Sequence, residues 1–215
     1  ENKYYLFKVY NLIKDLNKRY NFRRSLDAGC ADGSFSEKLR KDFGFEAHGV
    51  DISENAVKSA IMNGVNAKIH DLEKIFPYPD NYFDLVFACE VIEHIYDTDF
   101  FIAELRKVVR KEGIIILTTP NLVSLVNRAK ILFGKYPRFV PEYKVGGAGH
   151  IRAYTISALK RQLESHMLRV IITTSPNSTF PITNKNIPYI FKRMAIKLGD
   201  ILPSIGSHMI LVAKK

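Results

Sequence analysis

Residues 26–36 combine an acidic residue with two closely spaced glycines, in the sequence Leu-Asp-Ala-Gly-Cys-Ala-Asp-Gly-Ser-Phe-Ser. An apolar run ends near Asp27, and Gly29 and Gly33 allow the backbone to turn tightly. Ser34 can then cap the helix that follows. Such a turn brings backbone N–H groups and a helix N-terminus up against a ligand. Its Asp-x-Gly-x-x-x-Gly spacing differs from the Gly-x-Gly-x-x-Gly of dinucleotide-binding turns, which argues against a pyrophosphate ligand.

Three further pairs of residues stand at the ends of predicted strands. They are Asp51–Ile52, Asp71–Leu72 and Cys89–Glu90. Asp51 follows Gly29 by about 20 residues, the separation that nucleoside-binding units use. A carboxylate at that strand end can accept hydrogen bonds from both ribose hydroxyls.

In this order the segments resemble the motifs of the class I S-adenosylmethionine-dependent methyltransferases. The resemblance is strong over residues 25–120, moderate over 121–174 and weak over 175–215. It implies methyl transfer with S-adenosylmethionine as cofactor, Asp51 on the ribose and Asp71 with Leu72 on the adenine ring. The cofactor-binding residues that it implies are Asp27, Gly29, Cys30, Ala31, Gly33, Asp51, Ile52, Asp71, Leu72, Cys89 and Glu90.

Polar residues after the predicted fourth and fifth strands are candidates for acid–base chemistry. Methyl transfer is a direct displacement, so a general base matters when the acceptor is a hydroxyl that must lose its proton. On a turn or helix, Glu90, Glu93 and His94 can converge, and His150 lies in a later loop. We expect His150 or His94 to take the acceptor proton without a metal ion. In the alternative interpretation, Glu90 caps backbone N–H groups and His94 packs over the pocket.

The acceptor side of the sequence resembles more than one branch of the family. Glu90-x-x-Glu93-His94 with a later histidine is similar to the Mg²⁺-binding set of small-RNA 3′-terminal 2′-O-methyltransferases and to UbiG-like O-methyltransferases of quinone biosynthesis. Asn127-Arg128 followed by Gly-His-x-Arg is closer to methyltransferases of polysaccharide and lipid-linked glycan pathways. That resemblance implies transfer to an oxygen of a small or lipid- or glycan-linked polar acceptor, with Arg152 suited to a carboxylate or phosphate. In the alternative interpretation, His150 and Arg152 anchor the predicted lid. An RNA 2′-O-methyltransferase with a Glu/His metal site and a noncatalytic S-adenosylmethionine-binding regulator remain alternatives.

Strand and helix patterns alternate along the chain, which predicts an α/β domain with a doubly wound, mostly parallel sheet. The resemblance implies seven strands in a Rossmann-like fold. The length suits one domain over residues 1–215, and apolar residues at helical spacing predict an N-terminal helix within 1–24. The predicted strands cover 25–28, 46–51, 65–70, 82–88, 113–119, 169–174 and the C-terminal residues, and the helices cover 34–43, 54–63, 97–109 and about 155–165.

Two insertions interrupt this alternation. Residues 121–150 contain a helix candidate at 122–133 and a glycine-rich run, which predicts a lid over the active site. Residues 175–207 separate the last two strands and contain a basic amphipathic helix candidate at 188–202. That helix either rests on anionic lipid or packs its apolar face on the domain.

The net charge of +10 is concentrated in residues 1–24, 128–152 and 185–215. Such a field favours anionic partners, among them phosphorylated or carboxylated substrates, an acidic membrane surface and, less strongly, RNA; solvated helix faces are the alternative explanation. Cys30 and Cys89 both fall in the cofactor motifs, which favours pocket lining over a disulfide. Neither a signal-peptide pattern nor an apolar stretch of about 20 residues is present, so we expect a cytoplasmic protein, with a peripheral position on the membrane as the alternative.

Overall fold

The computed structural model describes residues 4–140, 149–176 and 198–215. The strands are β1 (Arg24–Ala28), β2 (Glu46–Asp51), β3 (Asn66–Ile69), β4 (Phe83–Cys89), β5 (Val109–Pro120), β6 (Arg169–Thr174) and β7 (His208–Lys214). The helices are α1 (Tyr4–Tyr20), α2 (Ser34–Phe43), α3 (Glu54–Met62), α4 (Thr98–Val108), α5 (Leu125–Leu132) and α6 (Ile156–Ser165), with short 3₁₀ turns at Ile92–His94 and Pro203–Ile205.

The strands form one sheet in the order β3-β2-β1-β4-β5-β7-β6. The pairs from β3 to β5 are parallel, and β7 runs antiparallel to both β5 and β6. This topology confirms the predicted fold class. The chain order reverses between β1 and β4, and open α/β sheets bind their ligands at the carboxyl ends of the strands beside such a reversal.

Helices cover both faces of the sheet because neighbouring strand residues point to opposite sides. On β5, Ile115 packs in one buried cluster with Phe101 of α4, whereas Ile114 packs in another with Ile13 of α1. The apolar run Ile114–Leu117 in the middle of β5 is typical of a strand buried on both faces. The sheet therefore gives its carboxyl edge a rigid support.

Some predicted boundaries differ from those in the structure. Gly33, in the left-handed region at φ 72°, occupies the N-cap position of α2 and has no side chain to act as a cap, so the predicted cap at Ser34 is wrong. The strand predicted at 113–119 begins earlier, because Val109 already pairs with Phe83 of β4. The helix predicted at 122–133 is shorter, because the Ser124 hydroxyl accepts a hydrogen bond from the Asn127 N–H and thereby fixes its start.

Parts of the two predicted insertions lie outside the described residues. These parts are 141–148 of the predicted lid and 177–197, which include most of the helix predicted at 188–202; residues 198–201 are helical. Among the helices that the structure describes, none has the length and apolarity that a bilayer span requires.

Candidate active site

A cavity of about 510 Å³ opens at the carboxyl ends of β1, β2 and β4. This volume falls within the range of about 300–1,000 Å³ that is usual for small-molecule sites. Ten residues predicted to bind the cofactor lie along its wall, namely Asp27, Gly29, Cys30, Ala31, Asp51, Ile52, Asp71, Leu72, Cys89 and Glu90. Other wall residues were not predicted from the sequence, among them Tyr5, Leu6, Asp32, Phe35, His70 and Glu73.

The glycine turn, residues 28–33, forms one side of the cavity. The N–H groups of Gly29 and Cys30 both donate to the Val50 carbonyl, which fixes the turn to β2. Gly29 has φ 92°, and a Cβ there would lie 2.6 Å from Cγ2 of Val91. Only glycine therefore fits both the backbone conformation and the close approach.

Gly33 has a packing role beside the cavity instead of lining it. At φ 72°, a Cβ on Gly33 would lie 2.7 Å from the Cβ and 2.8 Å from the Cα of Ala60. The second atom belongs to the backbone of α3, so a small side-chain movement cannot relieve the overlap. Gly33 thus lets α3 pack directly against the glycine turn.

Asp51 joins the end of β2 to the glycine turn. Its Oδ2 accepts a hydrogen bond from the Ala31 N–H at 2.9 Å, and its Oδ1 accepts one from the Ser53 N–H at 2.9 Å. Asp27 is buried beneath the turn, where its Oδ2 accepts a hydrogen bond from the Ser36 hydroxyl at 2.8 Å. Both carboxylates are therefore held in place by the protein itself.

The wall of the cavity is acidic. Its carboxylates belong to Asp27, Asp32, Asp51, Asp71, Glu73 and Glu90, and no lysine or arginine among the described residues contributes to it. Opposite charges attract, so this wall suits a ligand that carries positive charge and disfavours a polyphosphate. The electrostatics of the cavity agree with the glycine spacing, which also argues against a pyrophosphate.

The two cysteines are free thiols. Burial, followed by the charge of Asp27, raises the pKa of Cys30 to about 12 and raises the pKa of Cys89 well above its usual value. Because the thiolate is the reactive form, both side chains are weak nucleophiles at neutral pH. They contribute shape to the cavity wall.

Glu93, His94 and His150 form a second feature, here called the histidine group. One ligand atom from each of the three lies within 4.8 Å of the others. Glu93 is only 1% exposed; its Oε2 accepts a hydrogen bond from the Thr119 hydroxyl, and its Oε1 has no hydrogen-bond partner among the described residues. That free oxygen lies 3.9 Å from Nε2 of His150. Burial, and then the charge of Glu90, raises the pKa of Glu93 to about 8.

Both imidazoles of the histidine group are held through Nδ1. Nδ1 of His94 lies 3.1 Å from the Gly149 carbonyl, and Nδ1 of His150 lies 3.2 Å from the Phe139 carbonyl. A carbonyl only accepts, so these contacts assign the proton of each neutral ring to Nδ1 and leave a lone pair on Nε2. His94 lines the cavity, whereas His150 stands behind it with the ring centroids 4.8 Å apart.

Glu90 does not join the histidine group. Its Oε1 accepts a hydrogen bond from the Thr118 hydroxyl at 2.8 Å, and its Oε2 lies 3.3 Å from Nε2 of His208. The ring of His208 also lies beside that of Tyr5, with a centroid distance of 6.0 Å. His208 was not singled out from the sequence, because it reaches the site only through the antiparallel pairing of β7 with β5.

Arg152 has a different position from the one expected. Its Nε donates to the Ile95 carbonyl at 3.1 Å, and its Nη2 donates to the Tyr96 carbonyl. The backbone N–H groups of Ile151 and Arg152 donate to the Glu93 carbonyl. Arg152 therefore anchors the segment around His150 to the chain after the 3₁₀ turn, and its guanidinium is occupied by backbone carbonyls.

The sequence and the fold were compared with those of known proteins. Residues 26–117 match the family model described as "Methyltransferase domain". Over 100 residues the chain is 37% identical to the 2-methyl-6-phytyl-1,4-hydroquinone methyltransferase of Synechocystis sp.. The matched segment covers 45% of this chain and 31% of that protein. Over 120 residues the chain is 31% identical to the ubiquinone biosynthesis O-methyltransferase of Pelagibacter ubique, which covers 52% and 50%. The chain thus spans half or less of the length of these two relatives.

The fold is also that of solved methyltransferases. A S-adenosylmethionine-dependent methyltransferase from Archaeoglobus fulgidus superposes over 100% of both chains with a TM-score of 0.63 and 23% sequence identity. The domain match and the shared fold confirm the predicted resemblance to S-adenosylmethionine-dependent methyltransferases, whose cofactor is S-adenosylmethionine. Residues 26–117 thus match a methyltransferase domain, within a fold shared with solved S-adenosylmethionine-dependent methyltransferases.

Proposed function

We propose that the protein transfers a methyl group from S-adenosylmethionine to an oxygen of a polar acceptor that is small or linked to a lipid or glycan. The observation that carries this proposal is the position of His94, which lines the cavity with Nε2 available as a proton acceptor. A hydroxyl acceptor must lose its proton as it reacts, and the lone pair of a neutral imidazole can accept that proton.

The cavity residues fit the cofactor of the family. When bound, S-adenosylmethionine supplies an electrophilic methyl group on a positively charged sulfur. The acidic wall favours such a cation, and Gly29 of the glycine turn lies in the same wall. We assign Asp51 to the ribose hydroxyls and Asp71 with Leu72 to the adenine ring. Gly33 acts indirectly, by holding α3 against the turn.

His94 is the preferred general base of the two predicted histidines. It lines the cavity, whereas His150 contacts it from behind, so the acceptor proton passes first to Nε2 of His94. His150 and the buried Glu93 then act as positioning residues that hold the His94 ring at the cavity edge. Residues 121–150 remain a predicted lid, which would exclude water from the acceptor.

The described site supports a polar acceptor better than an anionic one. Arg152, the predicted anion-binding residue, is occupied by the Ile95 and Tyr96 carbonyls, and no lysine or arginine among the described residues lines the cavity. The named relatives act in hydroquinone methylation and in ubiquinone biosynthesis, so hydroxylated ring compounds are the first acceptors to test.

A metal-assisted transfer, as in the RNA 2′-O-methyltransferases, is the second candidate. It is favoured by the spacing within the histidine group, where three ligand atoms lie within 4.8 Å of one another, and by the unpartnered Oε1 of Glu93. Two imidazoles and one carboxylate suit a transition metal better than Mg²⁺, which prefers oxygen ligands. In that case the ion would bind the acceptor oxygen and lower its pKa.

The test is methyl transfer to a panel of hydroxylated acceptors, measured as formation of S-adenosylhomocysteine. We expect His94→Ala to lower the rate by about 10²–10⁴-fold, the scale for loss of a general base, and S-adenosylmethionine binding to persist. His166→Ala is the matched control, because His166 contacts Asp99 outside the cavity. A chelator should leave the wild-type rate unchanged. Loss of activity with chelator, restored by a divalent ion, favours the second candidate, and an unchanged rate in His94→Ala refutes the assigned base.

A further inference from the structure

Helix α5 and the turn after it present a row of large apolar side chains to solvent. The exposed fractions are 48% for Leu125, 55% for Ile131, 80% for Leu132 and 74% for Phe133. Isolated exposed apolar residues are common, but a contiguous group within nine residues marks an interaction surface. The exposed residues between 125 and 139 together form a surface called the docking face.

The docking face is also basic. Arg128, Lys130, Lys135 and Arg138 lie among its apolar residues, and the sequence has no acidic residue from 121 to 140. None of the four cations forms an ion pair with a carboxylate in the part of the chain that the structure describes. Arg128 and Lys130 donate to the Val123 and Tyr136 carbonyls, so the experiment below changes the other two cations. Segments that lie in an anionic membrane interface typically combine cations with exposed apolar side chains.

Hydrogen bonds of the buried Asn127 hold the docking face in one shape. Its Nδ2 donates to the Asn121 and Arg138 carbonyls, and its Oδ1 accepts from the Arg138 N–H at 2.7 Å. Lys130 donates to the Tyr136 carbonyl at 2.7 Å, which closes the turn a second time. The apolar and basic groups are therefore presented together without an ordering step.

The docking face reaches the active site through Phe139. The Phe139 ring lies 6.4 Å from the ring of His150 and 5.3 Å from that of His208, centroid to centroid. His150 in turn contacts His94, which lines the cavity. Phe139 thus connects the docking face to the histidine group.

We propose that the docking face binds an anionic membrane surface and presents a membrane-borne acceptor to the histidine group. The exposed aliphatic residues Leu125, Ile131 and Leu132 favour a membrane over RNA, because bases stack on aromatic rings and do not use aliphatic groups in this way. This membrane contact rests on the proposed function and adds where the acceptor is presented. The vesicle experiment measures binding alone, so membrane binding and methyl transfer can fail separately.

Binding of the full chain to sedimented vesicles tests the proposal. Vesicles of phosphatidylglycerol with phosphatidylcholine should bind the protein at low salt, and vesicles of pure phosphatidylcholine should bind it far less. Lys135→Gln with Arg138→Gln should weaken binding by roughly 30-fold, since each cation near such a surface contributes about a factor of five. Leu132→Gln with Phe133→Gln should weaken it by at least about tenfold through lost apolar contact.

Two matched controls separate this surface from general charge and hydrophobicity. Lys58→Gln with Lys160→Gln removes two exposed cations elsewhere, and Met62→Gln with Ile75→Gln removes two apolar residues that are 81% and 67% exposed. Both controls should bind vesicles as the wild type does. The thermal unfolding midpoints of all variants should stay close to the wild-type value, because the altered side chains are exposed.

Three results would overturn the proposal. The first is equal weakening by the controls and the docking-face variants. The second is binding of an RNA oligonucleotide that the docking-face variants abolish, with no vesicle binding by the wild type. The third is vesicle binding that depends on Lys192, Arg193 and Lys197 and not on the docking face, which would assign the membrane contact to the helix predicted at 188–202.

Discussion

The glycine turn and the histidine group reach the same cavity, the second through His94, but they are built in different ways. The glycine turn is contiguous in sequence and is shaped by backbone contacts, including the N–H groups of Gly29 and Cys30 on the Val50 carbonyl. The histidine group joins residues 93–94 to His150, more than 50 positions away, and is held by side-chain contacts to backbone carbonyls. One region is defined by close packing, the other by a few directed hydrogen bonds.

This difference assigns separate tasks to the two regions. A backbone turn that has no space for a Cβ keeps one shape, which suits the cofactor binding proposed for it. Side chains collected from separate segments can change one at a time without disturbing the sheet, which suits an acceptor that differs between family members. The comparison therefore predicts severe structural effects in the first region and mainly functional effects in the second.

The largest expected structural effect tests the packing of the glycine turn. Gly33→Ala should lower the free energy of unfolding by about 2–5 kcal/mol, combining about 1–2 kcal/mol for a left-handed backbone with about 1–3 kcal/mol for overlap with Ala60. Gly44→Ala is the matched control, since Gly44 has φ 74° with nothing within 4 Å of an added Cβ. Denaturant unfolding should give only about 1–2 kcal/mol for it. Equal losses in both variants would show that packing against α3 is not critical.

The regions also differ in how far the sequence predicted them. The glycine turn, the acidic residue at the end of β2 and the order of strands and helices all follow from local patterns, and the structure places Asp27, Gly29 and Asp51 together as expected. Gly33 was predicted to bind the ligand, yet it packs on α3. A glycine in a sequence indicates that a side chain does not fit at that position. It does not indicate whether a ligand or another part of the protein fills the space.

The histidine group could be predicted only in part. His94 and His150 were candidates by residue type, but the partnership of Glu90 with His208 depends on how β7 pairs with β5, a long-range property without a local signal. The expected convergence of Glu90 with Glu93 assumed an ordinary turn or helix, whereas Glu90 has φ 59° and its side chain contacts Thr118. For Arg152, the contacts with backbone carbonyls agree with the alternative interpretation as an anchor and not with anion binding.

The second prediction concerns the contribution of the Asp51 carboxylate to S-adenosylmethionine binding. Asp51→Ala should weaken S-adenosylmethionine binding by about 2–4 kcal/mol, because two charge-assisted hydrogen bonds to ribose would be lost and partly replaced by water. The same change frees the Ala31 N–H, which loosens the glycine turn. Calorimetry measures the affinity, with Glu54→Ala as the control because Glu54 is exposed on α3 and pairs with Lys58. Unchanged affinity in Asp51→Ala would remove the ribose assignment.

The third prediction concerns the pH dependence of stability in the histidine group, an effect that is small over any one pH unit. Burial raises the pKa of Glu93 from 4.5 to about 8, so the folded protein holds a proton there that the unfolded chain releases. The resulting stability is fully present below pH 4.5 and is lost as the pH rises through about 8. Between these values the wild type should lose up to about 1.4 kcal/mol per pH unit.

Glu93→Gln isolates this effect, because the amide is neutral at every pH and can still accept the hydrogen bond from Thr119. The difference in unfolding free energy between Glu93→Gln and the wild type should therefore grow in favour of the variant as the pH rises toward 8. Glu54→Gln, at an exposed ion pair, should show no such growth. A difference that stays constant with pH would mean that Glu93 is ionised in the folded protein at neutral pH. A cation bound between Glu93 and the two imidazoles has that effect, so this result would favour the metal-assisted mechanism.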